Sequence, residues 1–307
     1  MEAMVGTGAI AVTAVCDPSE DCGRDALAVA PEAAIVPSLD AMLALGVDAV
    51  VIATPSALHA EQAIAALDAG AAVFCQKPLG RSAAEAQAVV DAARKADRLL
   101  GVDLSYRHTM AMQAIAPLVR DGTLGDVFAV DLTFHNAYGP GKPWFFDPAQ
   151  SGGGCVIDLG VHLVDLALWT LGFPDVSDVS SQLRTQGRAV RAGEVEDYAT
   201  ARFAAGGVDV RLACSWNLNA GRDAVIEAAF YGTRGGAALR NVAGSFFDFT
   251  AQHFTGTQAR PLAGPPDPWG ARSAAVWAEQ LAASPRFDPQ AEQFVRSAEV
   301  LDRIYGR

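Results

Sequence analysis

Asp48-Ala49-Val50-Val51-Ile52-Ala53-Thr54-Pro55-Ser56 is the stretch that decides the fold. After Asp48 it is an apolar, β-branched run with no polar position inside it, closed by a Thr-Pro-Ser turn. The absence of alternation predicts a strand buried on both faces, as in a parallel sheet with helices on each side. The same rhythm repeats outward. Upstream, Ile10-Ala11-Val12-Thr13-Ala14-Val15-Cys16-Asp17 predicts a buried strand closed by an acid. A helix over 19–30, a short strand at 34–36 and a helix at 38–45 follow. Downstream, a helix is predicted over 58–69 and a strand at 72–75 that leads into Gln76-Lys77-Pro78-Leu79. A helix over 82–96 and a strand over 99–104 come next. That strand runs into Tyr106-Arg107-His108 and a helix to 120. Strands alternating with helices through short links predict a doubly wound parallel sheet. Ligands of such sheets gather at the C-terminal ends of the strands. Asp17, Thr54, Lys77 and Tyr106 all fall there.

After Gly122-Thr123-Leu124-Gly125-Asp126 the pattern changes. Strand-like runs at 127–134, 176–185, 197–203, 208–216, 224–231, 236–241 and 246–252 predict an antiparallel sheet. Gly206-Gly207 suits a hairpin turn. A helix over 155–171 covers one face of that sheet, and an amphipathic helix over 290–304 closes the chain. The fold expected is therefore α/β followed by α+β. Residues 1–122 form the parallel-sheet domain and 123–307 the antiparallel one, with the last helix placed to pack back.

A second stretch carries chemistry: Gly152-Gly153-Gly154-Cys155-Val156-Ile157-Asp158-Leu159-Gly160-Val161-His162-Leu163-Val164-Asp165. Glycines open an apolar helix, and Asp158, His162 and Asp165 follow at spacings of four and three. Regular helical geometry puts them on one face. Titratable groups on an apolar helix need a reason, because a buried unpaired charge is expensive. One reading is a buried Asp–His pair that ties the helix to its neighbours. The other is an imidazole general base whose tautomer a carboxylate fixes.

Composition sets limits. The 307 residues suit two domains, and 51% hydrophobic with 19% charged residues describes a globular chain. A net charge of -12 argues against nucleic-acid or anionic-membrane partners. No run of 18 apolar residues predicts a membrane span, and the first residues do not form a leader. Cys16, Cys22, Cys75, Cys155 and Cys214 are odd in number and lack metal-ligand spacing. No metal site is expected, and reduced thiols in a cytoplasmic setting are.

Val15-Cys16-Asp17, Ala53-Thr54-Pro55-x-x-x-His59, Gln76-Lys77-Pro78-Leu79 and Gly153-Gly154-x-x-x-Asp158-x-Gly160-x-His162-x-x-Asp165 occur in this order. Together they resemble the Gfo/Idh/MocA oxidoreductases along nearly the whole chain. The resemblance implies a Rossmann domain followed by a mostly antiparallel sheet domain. It also implies oxidation or reduction of a carbon of a sugar, polyol or related molecule with NAD or NADP. Lys77, Asp158 and His162 then form the reactive group. His162 takes the hydroxyl proton, Lys77 holds that oxygen, and Asp158 orients His162 or grips a neighbouring hydroxyl. Asp17 binds the adenosine ribose and repels a 2′-phosphate, which favours NAD over NADP. Thr54, Pro55, Ser56, His59, Gln76 and Lys77 line the cofactor. Tyr106, Arg107, Trp144 and Asp165 are candidates for the substrate end. Asp17 could instead start the next helix, His59 could be a satisfied surface group and Trp144 core packing. A homodimer or homotetramer through the antiparallel sheet is the expected assembly.

Two departures stand out. The family's usual Glu-Lys-Pro is Gln76-Lys77-Pro78, which removes a charge beside Lys77. The family's first strand and glycine loop have no counterpart. Gly6-Thr7-Gly8-Ala9-Ile10-Ala11 matches the dinucleotide fingerprint in letters only, because a helix remnant precedes it and a strand follows. The expectation is that Met1 is not the natural start, and that a strand and a glycine-rich loop are encoded upstream. Two other functions share the resemblance. One is a hydrolase or eliminase that oxidises transiently and returns the hydride. The other is a non-catalytic sensor of NAD or a sugar.

Overall fold

A computed structural model describes all 307 residues, Met1–Arg307. The first part alternates as its periodicity predicts. Its strands are β1 (Ala14–Val15), β2 (Ala34–Ile35), β3 (Ala49–Ile52), β4 (Ala72–Cys75) and β5 (Leu100–Val102). Its helices are α1 (Glu2–Gly6), α2 (Glu20–Val29), α3 (Leu39–Leu43), α4 (Ser56–Asp68), α5 (Ala83–Ala96) and α6 (Met110–Arg120). Four of these six helices start on a Ser or Thr hydroxyl that accepts a first-turn N–H: Ser19, Ser38, Ser82 and Thr109. α4 follows Pro55 without a side-chain cap; Leu58 N donates to the Pro55 carbonyl, and the N–H groups of Ser56 and Ala57 have no protein acceptor.

The parallel strands fall into two groups. β1 pairs with β2, and β3, β4 and β5 pair in that order, with no hydrogen bonds between the groups. Burial on both faces holds for β4, whose four residues are all buried. It does not hold for β3. Val51 is 52% exposed, because no element covers its face, while Val50 and Ile52 are buried. The expected strand over 10–17 is likewise reduced to two partly buried residues. The β4 side is closed by Met4 of α1 and by Trp277 and Ala278, which pack with Phe74 and Leu99.

The second part is a nine-stranded sheet. Its strands are β6 (Val127–Asn136), β7 (Val176–Thr185), β8 (Arg188–Ala189), β9 (Tyr198–Ala205), β10 (Val208–Ser215), β11 (Ala224–Gly232), β12 (Gly236–Asn241), β13 (Phe249–Thr255) and β14 (Gln258–Ala263). They lie in the order β14-β13-β12-β11-β6-β10-β9-β7-β8. Every pair is antiparallel except β6 with β10. Gly206 and Gly207, both at positive φ, turn β9 into β10 with Ala205 opposite Val208. The remaining helices are α7 (Pro148–Ser151), α8 (Val161–Leu171), α9 (Arg272–Ala283) and α10 (Glu292–Tyr305). α6, α8 and α10 cover one face of the sheet. The other face carries exposed ion pairs such as Arg202–Asp209 and Arg211–Asp131. β14 and α9 have no counterpart in the expected elements.

The cores divide the chain earlier than residue 122. Leu104, Met112 and Ile115 pack into the large core beneath the nine-stranded sheet, although the pattern groups them with the parallel strands. α10 joins the two cores: Val295 packs with the parallel-strand core, Val300, Leu301 and Ile304 with the other. Pro148–Leu171 is long and apolar enough to cross a bilayer, but 83% of its most apolar window is buried inside the protein. Its hydropathy belongs to the core.

Candidate active site

A cleft of about 600 Å³ opens where β3 and β4 end and the glycine-rich stretch begins. Thr54, Ser56, His59, Gln76, Lys77 and Asp158 line it, with Lys142, Trp144 and Phe145 from the loop after β6. A larger concavity, about 730 Å³, lies on the open face of the nine-stranded sheet. Its charged groups are all engaged in ion pairs: Arg211 with Asp131 inside it, and Arg202 and Glu227 with Asp209 and Arg240 beyond its lining. Reactive chemistry therefore belongs to the smaller cleft.

Three elements converge there. Lys77, just past β4, donates from Nζ to Asp158 Oδ1 at 2.6 Å and to the Asp158 carbonyl at 2.8 Å. Trp216, just past β10, donates from Nε1 to Asp158 Oδ2 at 3.0 Å. Both carboxylate oxygens are thus engaged. His162 is buried one turn further along, with its ring 4.8 Å from that of Tyr106. Its Nδ1 is buried and has no hydrogen-bond partner. Burial, and then the nearby Lys77 charge, hold the His162 pKa well below 6.5. Burial and the Asp158 charge push the Tyr106 hydroxyl upward, so it stays protonated. The site therefore combines a fixed ammonium, a carboxylate engaged at both oxygens with acceptor capacity left, and a neutral imidazole.

The expected Asp158–His162 pair does not form. The residues 156–160 make a π turn before α8 begins. A wider turn breaks the 3.6-residue register between Asp158 and His162, whereas His162 and Asp165 both lie within α8 and keep their spacing of three. Asp158 turns to Lys77 and Trp216, and His162 to Tyr106. Asp165 turns away altogether. It forms a two-pronged pair with Arg107, Nη2 to Oδ1 at 2.5 Å and Nε to Oδ2 at 2.7 Å. Asp165 is 2% exposed, and neither partner lines the cleft. This pair ties α8 to the turn after β5. Arg107→Ala is expected to destabilise the protein by about 3–5 kcal/mol by stranding a buried carboxylate. Urea unfolding at neutral pH measures it, and a loss under about 1 kcal/mol would place the pair in the weak surface class instead.

The glycine stretch is built by contacts that the motif does not display. Gly152 ends α7 at φ +85°. A Cβ on Gly154 would sit 1.9 Å from the Glu196 carbonyl oxygen, so only glycine fits. Glu196 is 2% exposed and accepts from Gly154 N, Val156 N and the Tyr305 hydroxyl. Burial pushes its pKa upward against those bonds. Glu196 and Tyr305 therefore hold the site's helix in place. Like Trp216 and Lys142, they were not found by sequence reasoning, because nothing local marks them.

The other expected residues are placed as follows. His59 is buried, with Nδ1 2.7 Å from the Pro78 carbonyl and Nε2 2.7 Å from the Thr54 carbonyl. It braces the turn that carries Lys77, where a surface position was the alternative. Thr54 Oγ1 donates to Gln62 Oε1 at 2.8 Å. Pro55 precedes α4, and Ser56 opens it. Asp17 is exposed after β1, and its Oδ1 accepts from Ser19 N at 2.8 Å. Trp144 stacks on Phe145 with ring centroids 3.8 Å apart, at the cleft.

Residues 2–104 match the model of an oxidoreductase family with an NAD-binding Rossmann fold. Residues 112–238 match that of the GFO/IDH/MocA C-terminal domain. D-glucoside 3-dehydrogenase of Escherichia coli (strain K12) is 32% identical over 212 residues, 64% of this chain and 60% of that protein. 1,5-anhydro-D-fructose reductase of Ensifer adhaerens is 35% identical over 127 residues, 41% and 38% of the two chains. The crystal structure of GenD2 from gentamicin A biosynthesis, in complex with NAD, superposes with a TM-score of 0.80 at 25% identity. That match covers 99% of this chain and 90% of that one. The chain spans about 60% of the length of the first of these curated relatives, and less of the second.

Proposed function

The chain belongs to the Gfo/Idh/MocA oxidoreductases, and from that premise we propose that it passes a hydride between NAD(H) and a hydroxyl-bearing carbon of a sugar, polyol or similar small molecule. One observation carries the reading: Lys77, clamped by Asp158, stands close enough to the buried His162 that burial and the Lys77 charge together hold that imidazole neutral. In the oxidative direction His162 accepts the hydroxyl proton. Lys77 donates to the oxygen as negative charge grows on it. Asp158 holds Lys77 in place and presents an acceptor edge to a neighbouring hydroxyl, while Trp216 fixes that carboxylate. NAD, held at this cleft, would supply the acceptor for the carbon's hydride.

The cleft fits the nicotinamide end of that cofactor. Gln76 and Lys77 offer an acceptor and a donor, and the uncapped first turn of α4 offers backbone N–H groups. Thr54, Pro55 and Ser56 would hold its middle, and Asp17 the adenosine ribose. Asp17 keeps its second oxygen free for ribose hydroxyls and repels a 2′-phosphate, so NAD is preferred over NADP. Fluorescence titration with NADH and NADPH tests this. NADH binds more tightly to the unsubstituted protein, and Asp17→Ala narrows the gap by about tenfold. Tighter NADPH binding before substitution contradicts the assignment of Asp17.

We place self-association on the open face of the nine-stranded sheet, where Phe128 and Tyr231 are exposed. Sedimentation velocity should report a dimer or tetramer that a charged residue in place of Phe128 dissociates. Cys155 and Cys214 face each other unbonded, Sγ to Sγ 3.8 Å, which suits a reducing cytoplasm. Quantitative alkylation of all five thiols in intact cells checks that.

A further inference from the structure

Gln76 occupies the position where the family usually carries glutamate, and its amide is not free to turn. Its Nε2 donates to Asp103 Oδ2 at 2.7 Å. Asp103 follows β5, the neighbour of the strand that carries Gln76. It is itself held firmly. Its backbone N donates to the Cys75 carbonyl at 2.9 Å, and its Oδ1 accepts from the Ser273 hydroxyl on α9. A carboxylate only accepts, so the amide nitrogen must face Asp103 and Oε1 must face away. Gln76 Oε1 has no protein donor and is not a buried unpaired atom, and Gln76 lines the Lys77 cleft. A glutamate in place of Gln76 would instead set two carboxylates against each other at hydrogen-bond distance.

We propose that Asp103 is a positioning residue that locks the Gln76 amide, so that the cleft receives a neutral carbonyl acceptor beside Lys77 for a hydroxyl of the cofactor ribose or the substrate. The negative charge that the family keeps at the cleft wall stands here one layer behind it. Asp158, already bonded to Lys77, is the one carboxylate left among the cleft residues. The inference rests on the cofactor reading above. It goes further by assigning the sense of the amide and the residue that sets it.

The test uses the full chain in four forms: unsubstituted, Gln76→Glu, Asp103→Asn, and both together. The dissociation constant for NADH and the melting temperature are read for each. Gln76→Glu should raise the NADH constant about tenfold and lower the melting temperature by about 5 °C. Both losses should shrink at about pH 5, where the facing carboxylates can share a proton. Asp103→Asn should raise the constant about threefold, since the amide loses its charged anchor. In the double form the introduced asparagine amide donates to the introduced glutamate carboxylate, and both quantities should return to within about twofold and about 2 °C. A double form no better than Gln76→Glu overturns the lock. Asp103→Asn that lowers the melting temperature but leaves the NADH constant unchanged reduces Asp103 to a structural prop, and overturns the positioning role. Failure of the unsubstituted protein to bind NADH overturns the cofactor reading itself. The melting temperatures then decide the lock alone: recovery in the double form supports it, and additive losses overturn it.

Discussion

Lys77→Ala is expected to lower turnover by about 10²–10⁴-fold with the fold intact. Two effects add. The substitution removes the donor placed to stabilise charge on the substrate oxygen, in a site partly shielded from water where such a donor counts most. It also releases Asp158, whose carboxylate keeps only the contact from Trp216. The carboxylate that remains would repel a developing alkoxide. Lys77→Arg should restore little, because a planar guanidinium cannot place one compact charge where Nζ sits. The measurement is turnover on a sugar chosen by screening the unsubstituted protein, with NADH formation followed by absorbance. Circular dichroism confirms the fold. Near-normal turnover in Lys77→Ala would remove Lys77 from the chemistry and reduce its contact with Asp158 to a structural tie. A large loss in Lys77→Ala with equal loss in Asp158→Asn would indicate that the two act as one unit.

Lys77 and Asp158 lie far apart in sequence, and no local rule joins them. Their association was legible only because each sits in a short motif and the motifs occur in order. The parallel strands were legible where burial is complete, as in β4. β3 is as uniformly apolar, yet Val51 is exposed, because a run of apolar letters does not show whether a helix will cover its second face. β14 is an exposed edge with Pro261 inside it, and α9 follows Ala271, which offers no side-chain cap, so neither announces itself. The site reads the same way. Spacing put Asp158, His162 and Asp165 on one face; the π turn took Asp158 out of that register towards Lys77, while within α8 His162 meets Tyr106 and Asp165 meets Arg107. Helix propensity does not distinguish an α turn from a π turn. Glu196, Trp216 and Asp103 were missed for a different cause. Each acts through a partner brought in by tertiary structure, and its own neighbours in sequence carry no signal.

His162→Ala should lower turnover by about 10²–10⁴-fold, and the pH profile should identify the reason. Burial and the Lys77 charge hold the imidazole neutral well below pH 6.5. The neutral form is the base, so oxidation should be flat through neutral pH and fall only on the acid side. Reduction needs the same group protonated, so its rate should decline as pH rises across the neutral range. The two directions must therefore slope differently at neutral pH. Stability follows the same group. The unfolded imidazole binds a proton below about 6.5, while the folded one resists it, so stability falls as pH drops from there towards the folded value. His162→Gln should remove that acid-side dependence and the acid fall in the oxidation rate together. If the oxidation rate of His162→Gln still fell on the acid side as in the unsubstituted protein, the proton would have another acceptor. Tyr106 is a poor one, because burial and Asp158 keep its hydroxyl protonated. The role would then pass to a water held by Lys77, and the substitution's effect on turnover would have to be explained by the packing of the two rings, 4.8 Å apart.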